Sequence, residues 1–533
     1  MAEAEPEKAP TLDRFAISSL PRERGRVWRG LATGAVLLAI SLATSFSASA
    51  AEIAHFTAAI TAEPDTLDIT STKDPGGSYV VLQNIYDQLW RMDENNKPEK
   101  SVADWTIAPD WHTITFKIKP GVKFQSGDEL SADDVIFSFN RIAAHSPMYR
   151  RDAKLVDKVE ALDRYTVRFT FNTPYFGFFN SAIVNLVSKA YFERKGEAYA
   201  VAHPNGIGPY KFVDYVPAQY VDLAASENYY GKQPEVRSAR LYIVKDEQTR
   251  VAKLRAGEVD MIMDTPYPAI PDLKRDGYRI VGAESWPVCT VQFQLNNPDS
   301  PWHDRRVRLA IAHAIDGDAI VKGLLQGIPK HYPELAKGEF GYDPNLKNYT
   351  YDPALARKLL AEAGFPHGFT MPLYYWAGTF YGIRETAEAV ALYLKNVGIS
   401  ATPEALDPTK VMAMLRRSAT DTHQVYAGVM AVPLTNTGMD PTESVGLMYL
   451  SSGPVSNYKN PELDATIVKM LHEPDNVKRA ALVRQVQHIV HDDVANIPLW
   501  DSVSEYAMKA KYDFAPIQHR NAVLMLDEVT LAK

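Results

Sequence analysis

The sequence predicts a mixed α/β chain divided into two or three domains, and three observations carry that expectation. At 533 residues the chain is too long for a single core. Its 46% apolar and 23% charged residues are those of an ordinary soluble globular protein. The run TVQFQLNNPDSPWHDRRVRLAIAHAIDGDAIVKGLLQG, residues 290–327, then places a strand, a turn and two helices side by side. Val291, Phe293 and Leu295 alternate with Gln292 and Gln294, the period of a half-buried strand, and Asn296, Asn297, Pro298 and Asp299 break it. Asp304 can cap a helix whose Val307, Ala310, Ile311, Ala314 and Ile315 form one buried stripe. Asp316 starts a second helix with Ile320, Val321, Leu324 and Leu325 on its apolar side, and Gly327 stands where a left-handed turn would end it.

The N-terminus reads as an export signal. Arg22, Arg24, Arg26 and Arg29 precede an apolar run at 31–42, and Ala48, Ser49 and Ala50 are small enough for a cleavage site, so the mature chain is expected to start at Ala51. The run is shorter than the roughly 20 residues that span a bilayer, and no cysteine follows it for lipid attachment. A freely diffusing periplasmic protein is the expectation. The formal charge of −8 argues against a nucleic-acid partner. With Cys289 as the one cysteine, neither an intrachain disulfide nor a multi-cysteine metal site is possible.

The remaining elements follow in order. Residues 56–60 form a candidate strand, and EPDTLDITSTKDPGG leads to a helix carrying Val80, Val81, Ile85 and Leu89. Thr113, Thr115 and Lys117 alternate with Ile114, Phe116 and Ile118, and a second alternating strand covers 165–171. Ser131 caps a helix with Asp133 and Asp134 in its first turn. Paired acids can divide acid and base roles, but neighbours on a helix point about 100° apart, and capping accounts for both. The aromatic NTPYFGFF is core or domain interface. Gly206 and Gly208 precede Pro209 with no third glycine in place, so no phosphate cradle is formed. A helix and turn follow from Glu247 to Asp260, with Gly257 as a stop. Asp352 and Pro353 start a helix ended by Gly364, a mostly apolar strand covers 371–376, and a helix covers 383–396. Leu482, Val486, Ile489 and Val490 repeat at helical spacing before the strand-like Ile497, Pro498, Leu499 and Trp500.

The wording of these segments is more specific than their pattern. The strand ending in LN, the Pro-Trp turn and D-x-RVR-x-AI-x-x-AID resemble a signature of the family 5 extracellular solute-binding proteins. EPDTLD, GVKF-x-x-G, A-x-DV-x-F-S, GPYK, YDPALARKLLAEAGFPHGF and NYKNPELDATI match the same family in the expected order. The resemblance implies a periplasmic-binding-protein-like α/β fold of two lobes and a hinge, with an extra inserted domain. It also implies the bounds: signal region 1–50, domain I from 51–84, 207–289 and 504–533, domain II from 85–206, and domain III from 290–503. The implied role is capture of a solute by hinge closure and delivery to an inner-membrane ABC permease, by a monomer. A peptide ranks first as ligand, then an opine or sugar-like acid, then a metal chelate.

Candidate site residues follow from chemistry and from the resemblance. Arg384, at a helix start beyond a strand, can bind a carboxylate or phosphate with two hydrogen bonds. The resemblance aligns it with an arginine that holds the ligand carboxylate in dipeptide-binding relatives; the alternative is an exposed pair with Glu388. Trp376 and Trp500 can stack on a ligand or belong to the core. Tyr86, Ser71 and Thr72 lie where turns after strands meet ligands, or are merely solvated. Peptide-binding relatives carry an acid four positions before an acidic-Pro step, and here that place, before Asp440 and Pro441, is Thr437. Threonine cannot neutralise an ammonium ion. Asn436 and Thr437 suit hydroxyl-rich or amide groups, and Asp440 is open to the anchor role. His488 and His491 could share a metal but lack a further ligand, so both are expected to be solvated and no metal or cofactor is expected. No nucleotide loop, G-x-S-x-G elbow or cysteine nucleophile is present, so the sequence gives no support for catalysis. A sensing or chaperone receptor and a periplasmic hydrolase or transferase are the competing classes.

Overall fold

The computed structural model describes residues 52–73, 75–93, 97–146, 149–180, 183–376, 381–406, 408–418, 427–432, 440–516 and 523–533. Its backbone is an open ten-stranded sheet. From one edge the strands run Ser400–Leu406, Thr370–Trp376, Ala427–Val432, Arg279–Phe293, Asn496–Met508, Met261–Ile262, Phe56–Ile60, Ser238–Ile243, Tyr220–Ala225 and Tyr210–Val216. Phe56–Ile60 is parallel to both neighbours and almost wholly buried, as an apolar strand covered on both faces must be. Tyr220–Ala225 and Ser238–Ile243 alternate buried and half-buried positions, the signature of antiparallel strands with one face on a core.

Two long strands join the halves. Arg279–Phe293 pairs antiparallel with Asn496–Met508 from Arg279↔Met508 to Gln292↔Asn496, with register shifts between Glu284 and Val288 and between Cys289 and Thr290. On one side of the first shift, Ala283, Tyr506 and Met508 pack into a core that also holds Phe56, Trp90 and Phe116. On the other, Cys289, Val291, Phe293, Ile497, Leu499 and Trp500 pack into a second core with Trp302 and Leu394. The same two strands therefore serve both cores, and their ladder is broken between them.

A separate antiparallel sheet, Ala103–Ile107, Thr113–Ile118, Thr166–Phe171 and Val156–Asp163, stands on the first core. Residues 113–118 and 166–171 alternate as their sequences require. The aromatic run is core: Phe178 is fully buried and packs on Trp90, Phe116 and Phe169.

Helix ends follow side-chain chemistry. Asp304, Asp316, Asp352 and Asp475 each accept backbone N–H bonds at the start of Arg305–Ala314, Gly317–Leu324, Pro353–Glu362 and Asn476–Asp492. Gly327 has φ +70° and donates to the Val321 carbonyl at 2.9 Å, closing the end of its helix. Asp134 accepts from the backbone N–H of Ser131 and of Lys189, both at 2.9 Å, which occupies it structurally. The Gly206 loop lies against the end of the helix Pro75–Ile85; a Cβ on Gly206 would stand 2.1 Å from the Ile85 carbonyl oxygen. Close backbone approach, not phosphate binding, is what this glycine permits. No helix among the described residues is long and apolar enough to cross a membrane.

Candidate functional site

Strands Thr370–Trp376 and Ala427–Val432 run parallel, and both end toward the break in the long strands. Val432 pairs with Val288, and Val288 with Asp501. Crevices outside the carboxyl ends of such strands are where open α/β sheets take ligands. Trp376, Val288 and Asp501 mark this end of the second core.

Aromatic contacts within the second core close this end. Tyr267, in the turn Tyr267–Ala269, packs on Tyr381 with ring centroids 4.7 Å apart and the rings tilted by 59°, and its hydroxyl donates to the Val503 carbonyl at 2.7 Å. Burial, with Glu247 and Glu385 nearby, pushes the Tyr381 hydroxyl up to about 12. Farther out, the Arg479 guanidinium lies over Phe340 at 4.0 Å and Phe176 at 4.9 Å.

The sequence-derived residues are distributed as follows. Arg384 occupies the first turn of Ile383–Lys395; its side chain is 67% exposed and its Nε donates to Glu388 at 3.0 Å. Trp376 is half-buried against the second core. Trp500 is 1% exposed, and its Nε1 donates to Thr386 at 3.1 Å, so its ring lies between the sheet and helix Ile383–Lys395. Tyr86 is buried; its hydroxyl donates to the Leu67 carbonyl at 3.4 Å, and burial raises its pKa. It lines a small cavity with Gln83, Asp87, Arg91 and Asn185. Thr72 donates to Asp65 at 2.8 Å and Ser71 to the Asp68 carbonyl at 3.3 Å, so this loop is braced by its own acids. Asp68 in turn accepts from Arg141 at 2.9 Å. Asn436 and Thr437 lie outside the described residues.

Asp440 is buried and engaged. Its Oδ1 accepts from the Thr442 N–H at 3.0 Å and its Oδ2 from Arg479 Nη1 at 2.6 Å. The histidine expectation holds for His488, whose side chain is 47% exposed, and needs correction for His491. His488 bonds Asp343 at 2.9 Å, while His491 is largely buried, stacked on Tyr349 at 4.4 Å with rings 2° from parallel. An aromatic partner from the segment before Tyr351 covers it, and burial lowers its pKa. Both histidines tie that segment to their helix.

Asp501 is what sequence reasoning passed over. It is 6% exposed, its N–H donates to the Lys330 carbonyl at 2.8 Å, and its carboxyl lies well above the usual range through burial, then the nearby Glu339 and Glu284 charges. The available signal was a lone acid inside the apolar IPLWDSV. Among the described residues no cluster of three or more histidine, cysteine or acidic side chains could hold a metal.

The model of the bacterial extracellular solute-binding proteins, family 5 (middle region), matches residues 99–459. Heme-binding protein A of Haemophilus influenzae is 27% identical over 484 residues, covering 84% of this chain and 85% of its own. Glutathione-binding protein GsiB of Pectobacterium atrosepticum is 28% identical over 436 residues, covering 78% and 82%. Among solved structures, CtaP from Listeria monocytogenes superposes with a TM-score of 0.79 at 24% identity, over 90% of this chain and 100% of its own. DppA from Helicobacter pylori, in complex with peptide STSA, gives 0.73 at 24% identity, over 90% and 99%.

Proposed function

The chain belongs to the family 5 bacterial extracellular solute-binding proteins, and we propose that it is the periplasmic substrate-binding protein of an ABC importer, capturing a peptide or another small polar solute. One observation carries the reading: two cores share two long strands whose ladder breaks between Glu284 and Val288, beside the carboxyl ends of parallel strands. Lobes joined in this way can rotate about the break with both cores intact. The hinge lies at 284–288 and 501–503, near the expected limits of domain III at 290 and 503. Domains I and II share the first core, with domain II built on the four-stranded sheet.

Tyr267 and Tyr381, in contact on the hinge side, line the cleft over which the lobes close, with Trp376 as the half-buried aromatic wall and Arg384 at the rim for a carboxylate. Asn436 and Thr437 are kept as candidates for hydroxyl or amide groups of the solute. Asp440 acts through Arg479 rather than on the solute, and Trp500 and Tyr86 support the walls from behind. The protein is exported, works as a monomer and hands its closed complex to an inner-membrane permease without turning the solute over. Glutathione and a peptide stand beside heme among the ligands named for relatives, which supports a peptide-like solute.

Calorimetry and small-angle scattering on one sample test this. Saturable one-to-one binding of a peptide-like or opine-like compound, with a smaller radius of gyration on binding, is expected. Conversion of the compound to product overturns the receptor reading.

A further inference from the structure

Within the proposed receptor reading, Asp501 identifies the chemical class of the solute. Its Oδ1 is buried and has no hydrogen-bond partner among the described residues. Its backbone is held by the Lys330 carbonyl, so the side chain is a fixed feature of the sheet end. The nearby Glu339 and Glu284 charges disfavour its ionised form. The Lys330 charge offsets this only in part, and its Nζ is bound to Glu284 at 2.6 Å rather than to Asp501. A buried carboxyl oxygen without a hydrogen-bond partner is costly, and a cation supplied from outside the chain would offset that cost by favouring the ionised form.

The geometry points to a solute cation as that partner. We propose that Asp501 anchors an ammonium or guanidinium group, so that the natural solute is a zwitterionic or cationic peptide-like compound. Other acids are poorly placed for this task. The segment PLTNTGM at 433–439 contains none, and Asp440 is neutralised by Arg479 at 2.6 Å. Asp501 lies at the break in its ladder, through the pairs Val432↔Val288 and Val288↔Asp501. A cation bound there would touch the strand that rotates, which couples its capture to closure.

The test uses the full chain with trialanine, glutathione and spermidine as amine probes, against N-acetyltrialanine, citrate and glucose. Thermal shift and calorimetry should show binding only among the amine probes. Asp501→Asn should weaken that binding about tenfold or more, with a ligand-free melting temperature equal to or above wild type, since a neutral amide replaces an unpaired carboxyl. Asp501→Ser carries the same test if the asparagine variant does not fold. Undiminished binding of an amine probe by the variants overturns the anchor, as does wild-type preference for the acetylated, anionic or neutral probes. In both cases the receptor reading stands. Binding of no probe in either set counts against the receptor reading and removes the anchor with it.

Discussion

Arg479 meets the ring of Phe176 at 4.9 Å, a contact between the helix Asn476–Asp492 of the second core and the aromatic run beside the four-stranded sheet. Phe176 is 7% exposed and packs on Trp111 at 5.2 Å, so its outer face is covered by the opposite lobe. The contact favours the closed arrangement by about 1 kcal/mol, the usual size of a partly desolvated cation–π pair. Phe176→Ala should therefore enlarge the ligand-free radius of gyration and weaken solute binding about fivefold, because less of the population is competent to bind. An unchanged scattering profile would show that the contact does not bear on closure.

Removing Asp440 should be severe for a different reason. Arg479 is 5% exposed at its side chain and would be left as a buried, unpaired cation. Asp440→Ala is expected to cost about 3–5 kcal/mol in denaturant unfolding. The double variant Asp440→Ala with Arg479→Met should recover much of that loss. Equal losses in the single and double variants would show that the pair is not coupled.

Arg384 is exposed and touches Glu388, so Arg384→Ala should leave the melting temperature near wild type. If it holds a solute carboxylate, calorimetry should show affinity for a carboxylate-bearing solute falling more than tenfold. Unchanged affinity would remove it from the cleft.

Glu334 provides a pH test of the second core. It is 2% exposed, and burial raises its pKa well above the ordinary 4.5. A carboxyl whose folded pKa is raised binds its proton more tightly in the native state. Its contribution to stability is full below about 4.5 and is lost as pH rises toward the folded value. Glu334→Gln should thus be more stable than wild type at pH 8, with the advantage shrinking toward pH 4. A difference independent of pH would contradict a buried proton at this site.

Local chemistry made much of the fold legible. The caps Asp304, Asp316 and Asp352 and the alternation in 113–118 depend only on near neighbours, and all occur as expected. The long strand was seen only in part, as 291–295, because its first half is defined by pairing such as Arg279↔Met508, information that no local window contains. Asp440 and Arg479 are 39 residues apart, so their pairing was equally invisible, and Asp440 was left open as an anchor. Asp501 was readable as an acid in an apolar strand, but its lack of a partner depends on what packs above it.

The central claim is that this chain binds a small solute between two lobes and releases it unchanged. Native mass spectrometry of the protein purified from its own periplasm, followed by denaturation, tests it most directly. The expected result is one additional mass per chain that leaves on unfolding and rebinds intact, carrying an amine or guanidine group. A protein that yields no releasable compound and responds to none in a thermal-shift screen, or that returns the compound chemically altered, would contradict the account.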